Sequence, residues 1–288
     1  MTTFPSNLVA MRQMGVLTPV DVHLASLLSR MTGEAQPEAL LGAALACQWP
    51  QRGHVCVDLH ELTPDQLLLT EDIGVVQRFE LPPLDAWLQA LHASAFVGSP
   101  SEMKPLVLWQ DRWLYLHRNW QDETRLTNAI DLWTRSAATV RCDLSALEER
   151  TARIFARDAL DPKDQQQQAA LLAAQHPFFV LTGGPGTGKT TTLLRLLAVL
   201  LEAQPDLAIA LAAPTGKAAL RIRESLAQGL ESLPCDASLK ARIPTEAQTL
   251  HRLLGYQRRG AGFRHNEKHP LPYDVVVVDE ASMMDLSL

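Results

Sequence analysis

The sequence predicts an α/β chain: a parallel sheet with helices on both faces, preceded by a smaller, mainly helical N-terminal domain. Three observations point there. Apolar stripes at helical spacing fill the first hundred residues. Short, wholly apolar runs alternate with helical stretches from residue 152 onward. Between the two, VGSPSEMKP (97–105) is rich in Gly, Ser and Pro and reads as a domain junction or a long loop. The expected domains are therefore residues 1–104 and 105–288.

In LTPVDVHLASLLSRM, Thr18 can cap a helix that has Pro19 at its first position, and Val22, Leu24, Ala25, Leu27 and Leu28 supply a broad apolar stripe. PEALLGAALACQW and PLDAWLQALHAS read as further helices. In LVLWQDRWLYLHRNW, two apolar runs flank Gln110, Asp111 and Arg112, which predicts a β-hairpin, and ETRLTNAIDLWTR returns to helical spacing. Trp109, Trp113, Trp120 and Trp133 fall in this region. Aromatics can stack on bases, but packing of the hairpin against the helix accounts for them more simply. FFVLT (178–182), LAIALAA (207–213) and VVVVD (275–279) are the expected strands, apolar on both faces as a covered parallel sheet requires. The helix after Gly188 should run until Gln204 and Pro205.

The chain has 288 residues, of which 47% are hydrophobic and 20% charged, enough to bury a substantial core. No apolar run reaches the ~20 residues of a membrane span, and MTTFPSNLVAMRQMG lacks a secretory pattern, so no membrane partner and a cytoplasmic location are expected. Cys47, Cys56, Cys142 and Cys235 are scattered, which predicts reduced, mostly buried thiols and no zinc site. The net charge of −6 is uneven. Residues 1–150 carry 11 basic against 18 acidic side chains, and residues 151–288 carry 15 against 14, so a polyanion belongs with the second half.

GGPGTGKT (183–190) fits a phosphate-binding loop and stands between an expected strand and a helix. Gly183, Gly184, Pro185, Gly186, Thr187 and Gly188 let the backbone curl its N–H groups toward phosphate oxygens, and the helix start adds positive potential. Lys189 would reach the β- and γ-phosphates of ATP, and Thr190, followed by Thr191, would place a hydroxyl on Mg²⁺. At the end of VVVVDE, Asp279 would hold Mg²⁺ and Glu280 would orient and deprotonate the attacking water. Between these halves, APTGKAALRIRESL puts Pro214, Thr215, Gly216 and Lys217 at a second helix start, and TEAQTLHRLLG puts Thr249 and His251 before a third.

TGGPGTGKTTT, APTGKAA, TLHRLLG and VVVDEAS together resemble the superfamily 1 helicases and, among them, the RecD family, the alpha subunits of bacterial RecBCD exonuclease V. The motifs span about residues 164–285. The resemblance implies a RecA-like domain with Walker A and Walker B motifs and ATP-driven 5′ to 3′ movement on single-stranded DNA. It also implies a heterotrimer with RecC-like and RecB-like subunits that works on double-stranded DNA ends in recombinational repair. In such a protein Pro214, Thr215, Gly216, Lys217, Thr249 and His251 would line the path of the strand. Thr215 as a plain N-cap and His251 packed under the sheet are the alternatives. The family also uses a glutamine before the loop to read adenine. Spacing favours Gln166, with Gln165, Gln167 and Gln168 as competitors, and a merely solvated helix start as the other reading. Because a Gly-Asp-x-x-Gln segment and a second RecA-like domain follow the Asp-Glu pair in the family, the sheet is expected to be incomplete at the C-terminus.

Two other functions fit less well. A stand-alone RecD-like helicase would carry more than the ~180 residues that precede Gly183. An interaction module that binds ATP without hydrolysis would not need Lys189, Asp279 and Glu280 together. RHNEKH, with His265 and His269 four apart, reads as a polar surface loop, because Gly262 and Pro270 flank it and no third ligand is apparent.

Overall fold

The computed structural model describes residues 6–33, 36–67, 81–136, 143–155, 165–184, 186–257 and 262–288. It divides into two compact units, one running to Thr127 and the other from Asn128 to Met284.

In the N-terminal unit, α1 (Ser6–Gln13), α2 (Pro19–Thr32), α3 (Pro37–Gln48), α4 (Pro64–Leu67) and α5 (Leu84–Ala93) surround one apolar core. α2 starts as expected. The Thr18 side chain accepts from the Asp21 N–H while the Asp21 carboxylate takes the Thr18 N–H at 2.7 Å, and Gly33 in the left-handed region closes the helix. Asp21 is fully buried, and the cap supplies hydrogen bonds that its carboxylate would otherwise lack there. α3 is buried all round, from Ala39 to Ala46. At its centre a Cβ on Gly42 would lie 3.0 Å from the side chains of Leu114 and Leu91, so glycine sets how closely the sheet and α5 approach α3.

The hairpin is present. β3 (Leu106–Trp109) and β4 (Trp113–Leu116) pair antiparallel in the register Leu106↔Leu116 to Trp109↔Trp113. Gln110 and Asp111, both at φ 53°, form the turn that reverses the chain with the twist of the strands. β4 also pairs with β1 (Val57–Asp58), and β3 with β2 (Val97–Gly98), in a sheet ordered β1-β4-β3-β2. The hairpin therefore belongs to the N-terminal unit, and the units divide after Thr127 instead of after residue 104. VGSPSEMKP supplies β2 and a loop inside one unit. Trp120 on α6 (His117–Arg135) packs against Trp109 at 5.4 Å and Tyr115 at 5.1 Å, the packing role expected for these two tryptophans, whereas Trp133 is 43% exposed and stacks on Phe178.

In the C-terminal unit, α7 (Leu144–Phe155), α8 (Gln165–Gln175), α9 (Lys189–Ala203) and α10 (Gly216–Ser232) pack with β5 (Ile209–Ala213), β6 (Ala247–Thr249) and β7 (Val275–Val278). All three strands are parallel, in the order β6-β5-β7. Ile209 and Leu211 face the core of α7, α9 and α10. Ala210 and Ala212 face Leu250 and Leu253 of the one-turn α12 (Leu250–Leu253), which follows the short α11 (Ala237–Lys240), so both faces of β5 are covered, while Val276 of β7 stays exposed. Asp274 donates its N–H to the Ala208 carbonyl, and its carboxylate accepts the Ala208 N–H, both at 2.8 Å, locking β7 in register. β6 was not expected as a strand; it is three residues long and carries no alternation to announce it.

One expected strand is not formed. Phe178–Thr182 pairs with no described residue, and Phe178, Phe179, Val180 and Leu181 are exposed, Val180 by 64%. Strand propensity alone does not make a strand without a hydrogen-bonded neighbour; among the described residues β7 pairs with β5 and its other edge stays open, with Phe178–Thr182 not docked on it. His265 and His269 lie in a bend joined by an Asn266–His269 bridge, as expected of a surface loop. Among the described residues no group of side chains could hold a metal by histidine, cysteine and carboxylate alone, and no helix is long and apolar enough to cross a membrane. Cys47, Cys56 and Cys235 are free and half-buried, and Cys142 lies outside the described residues.

Candidate nucleotide site and nucleic-acid cleft

The loop before α9 is built on backbone conformations that only glycine adopts easily. Gly186 and Gly188 sit at φ 77° and 79°, and Gly188 turns the chain into the first residue of α9, Lys189. Lys189 folds back over the loop, donating from Nζ to the carbonyls of Gly183 at 2.6 Å and Gly184 at 3.0 Å, while the Thr187 hydroxyl donates to the Gly184 carbonyl. The lysine thus caps a curled backbone and remains exposed, a cation held where an anion would enter. Pro185 lies outside the described residues.

Of the four consecutive glutamines, Gln166 reaches this loop. Its Nε2 donates to the Thr187 carbonyl at 3.0 Å, and a Cβ on Gly188 would meet the same atom at 2.6 Å, so α8 and the loop touch through this side chain. Thr190 is half-buried and Thr191 exposed, and both line a cleft of about 400 Å³ between α9 and α10, together with Arg195, Ser225 and Gln228.

Asp279 and Glu280 stand at the carboxyl end of β7. Asp279 donates its N–H to Ala212 and is half-buried. Glu280 sits at φ 54°, opens a 3₁₀ turn (Ala281–Met283), and lies 3.9 Å from Arg221 on α10. A carboxylate residue held in the left-handed region is strained by about 1–2 kcal/mol, a device typical of functional sites and not visible in its sequence position. The described contacts of these two residues run to Ala212 and Arg221, not to the phosphate loop.

The second group gathers around β6. Thr215 caps α10, its hydroxyl accepting from Ala218 N–H at 3.2 Å, and Thr249 caps α12 in the same way from Arg252 at 3.3 Å. The capping alternative therefore describes the hydroxyls of both threonines. Gly216 and Thr249 share a cleft of about 250 Å³ with Gln248, Arg223 and Arg252. Pro214 is half-buried at the end of β5, and Lys217 is exposed on the first turn of α10. His251 is exposed, not packed under the sheet. Its ring meets Tyr256 and Phe263 edge-on. Sequence reasoning passed over Arg223 and Arg252, which read as helix surface, and Tyr256 and Phe263, which meet His251 only once the chain has turned back.

Residues 13–115 match the family described as RecBCD enzyme subunit RecD, N-terminal domain, and residues 166–288 match an AAA domain family. The chain is 40% identical to the RecBCD enzyme subunit RecD of Mycobacterium tuberculosis over 292 residues, covering 97% of this chain and 45% of that protein. The chain is a relative of the RecD subunits. The Haemophilus influenzae RecD is 34% identical over 98% of this chain and 47% of its own length. The ATP-dependent RecD2 DNA helicase of Deinococcus radiodurans is 45% identical over 121 residues, 41% of this chain and 14% of that protein. The chain spans about half the length of the curated RecD relatives it matches.

Proposed function

We propose that the chain is the ATP-binding part of a DNA helicase or translocase that works as a subunit of a RecBCD-type complex. The observation that carries this reading is the exposed Lys189 held over a glycine-built loop at a helix start, in a chain whose RecD likeness runs its whole length while its RecD2 likeness covers only 41%. Lys189 would leave the loop carbonyls for the β- and γ-phosphates of ATP. The backbone N–H groups from Gly183 to Thr191, Pro185 apart, would take the remaining phosphate oxygens. Gln166, already against the loop, would read the adenine edge. Thr190 and Asp279 offer the hard oxygen donors that Mg²⁺ prefers, and the ion, when bound, neutralises charge between the terminal phosphates. Glu280 would orient the attacking water and take its proton.

Pro214, Thr215, Gly216, Lys217, Thr249 and His251 would contact single-stranded DNA, with polarity 5′ to 3′, in a complex with RecC-like and RecB-like subunits that repairs double-strand ends in the cytoplasm. The N-terminal unit would be the docking part. Its α2 leaves Val20, Leu27 and Met31 exposed by 64, 37 and 73%, in line with Leu24, which packs at the edge of the core, an apolar stripe at i, i+4, i+7 and i+11 that the core covers only in part. The test of the nucleotide reading is DNA-stimulated phosphate release by Lys189→Gln in the assembled complex. A fall of at least an order of magnitude with assembly intact is expected; near-normal turnover would remove the reading.

A further inference from the structure

We propose that the surface around α12 grips one stretch of single-stranded nucleic acid from two sides, with the guanidiniums of Arg223 and Arg252 on a phosphate and the ring of Tyr256 under an unstacked base. This rests on the strand path proposed above and adds a base contact to a path otherwise made of backbone contacts alone.

The phosphate side is the 250 Å³ cleft between α10, β6 and α12. That volume is below the roughly 300–1,000 Å³ of a small-molecule pocket, and it suits a charged group entering from solvent. Arg223 enters it from the second turn of α10 and Arg252 from α12. Arg223 faces Glu246 at 3.8 Å, but its side chain is 47% and that of Glu246 86% exposed, a long, solvent-screened pair that a phosphate would displace at little cost.

The base side lies one residue away. α12 turns only once, so the side chains of His251 and Arg252 diverge by about 100°. One enters the cleft; the other enters an aromatic cluster. Tyr256 meets His251 at 5.7 Å and 70° and Phe263 at 5.9 Å and 60°, and the His251–Phe263 pair closes the triangle at 5.7 Å and 67°. The backbone holds the arrangement. Gly255 at φ 70° brings the chain round, the Tyr256 N–H donates to the His251 carbonyl at 2.9 Å, and Tyr256 and Phe263 form a β-bridge. Tyr256 is nevertheless 58% exposed. An aromatic ring fixed by two edge-on neighbours and left open to water loses little entropy on stacking against a base. In a single strand a phosphate and its base are joined through one sugar, so one nucleotide can offer its phosphate to Arg252 on α12 and its base to Tyr256 just beyond the same turn.

The test is fluorescence anisotropy of the purified chain with two labelled oligonucleotides of equal length, one oligothymidine and one abasic, over a range of salt. Arg223→Ala and Arg252→Ala should each weaken binding to both and lower the log–log salt slope by about 0.7. Tyr256→Ala should weaken oligothymidine binding by roughly 5- to 100-fold and leave the abasic strand unchanged, and Tyr256→Phe should retain wild-type affinity for both. Equal losses on both strands, or none on oligothymidine, would overturn the base platform; unchanged salt slopes in the arginine variants would overturn the clamp. If Lys217→Ala weakens binding while none of these variants does, the strand path stands and this grip is wrong. If the wild-type chain binds neither strand, the path and the grip fall together.

Discussion

In the N-terminal unit the hairpin is matched on both sides, β4 lying between β1 and β3 and β3 between β4 and β2, and α3 is buried from every direction. In the C-terminal unit four consecutive apolar residues, Phe178 to Leu181, meet water, β7 keeps an open edge, and Lys189 and Glu280 hold exposed charge in tightly turned backbone. The contrast separates two uses of the chain. One unit commits most of its side chains to packing and leaves the α2 stripe exposed. The other keeps its polar and strained groups at helix starts and strand ends, where a ligand can reach them.

The largest stability effect should come from filling the tightest approach in the packed unit. Gly42→Leu drives a branched side chain into Leu114, Leu91 and Trp87, and should cost about 1–3 kcal/mol or more, read as a lower melting temperature, with nucleotide binding preserved in whatever remains folded. Thr18→Ala removes the buried capping box of α2 and should cost about 1 kcal/mol by the same measurement. An unchanged melting temperature for either variant would mean that the N-terminal unit is looser than its burial indicates.

The pH dependence of that unit sharpens the comparison further. Burial opposes ionisation of Asp58, yet the Arg112 fork and the His60 N–H outweigh it and hold the Asp58 carboxyl below the ordinary carboxylate range. A depressed folded-state pKa stabilises the fold above the unfolded value and loses that contribution as pH falls through the folded one. Stability should therefore decline below about pH 4, and Asp58→Asn should flatten that part of the profile. Burial first, and then the Asp21 carboxylate, push the Cys47 thiol up to about 12, so Cys47 should alkylate slowly at neutral pH compared with an unfolded control. The smallest effect belongs to the hairpin turn. Gln110→Gly should relieve the left-handed residue and stabilise by under about 1 kcal/mol.

Features written in contiguous residues were legible: the Thr18–Pro19 helix start, the turn at Gln110 and Asp111, β5 and β7 as unbroken apolar runs, and the loop from Gly183 to Thr190. Spacing also selected Gln166, the glutamine that touches the loop. Features that depend on distant partners were not. Two-residue β1 and β2 carry no pattern, so the hairpin's membership of the first unit was invisible. The run FFVLT looks like a strand, but only a neighbouring strand could make it one. Leu27 belonged to the apolar stripe of α2 on sequence and faces water in the fold, because Val22, Ala25 and Leu28 fill the core and Leu24 packs at its margin. The strain at Glu280 and the ring contacts of His251 arise from chain reversals that no local pattern encodes.

The division of labour between the units is tested most directly by one paired measurement on the assembled complex. A fluorescent ATP analogue is titrated against wild type, Lys189→Ala, and the double variant Val20→Asp with Met31→Asp, and partner capture is scored on the same samples. Lys189→Ala should lose at least tenfold in nucleotide affinity and keep its partners; the double variant should lose its partners and keep wild-type nucleotide affinity. Loss of both properties in either protein, or of neither, would contradict a chain built from one docking unit and one nucleotide unit.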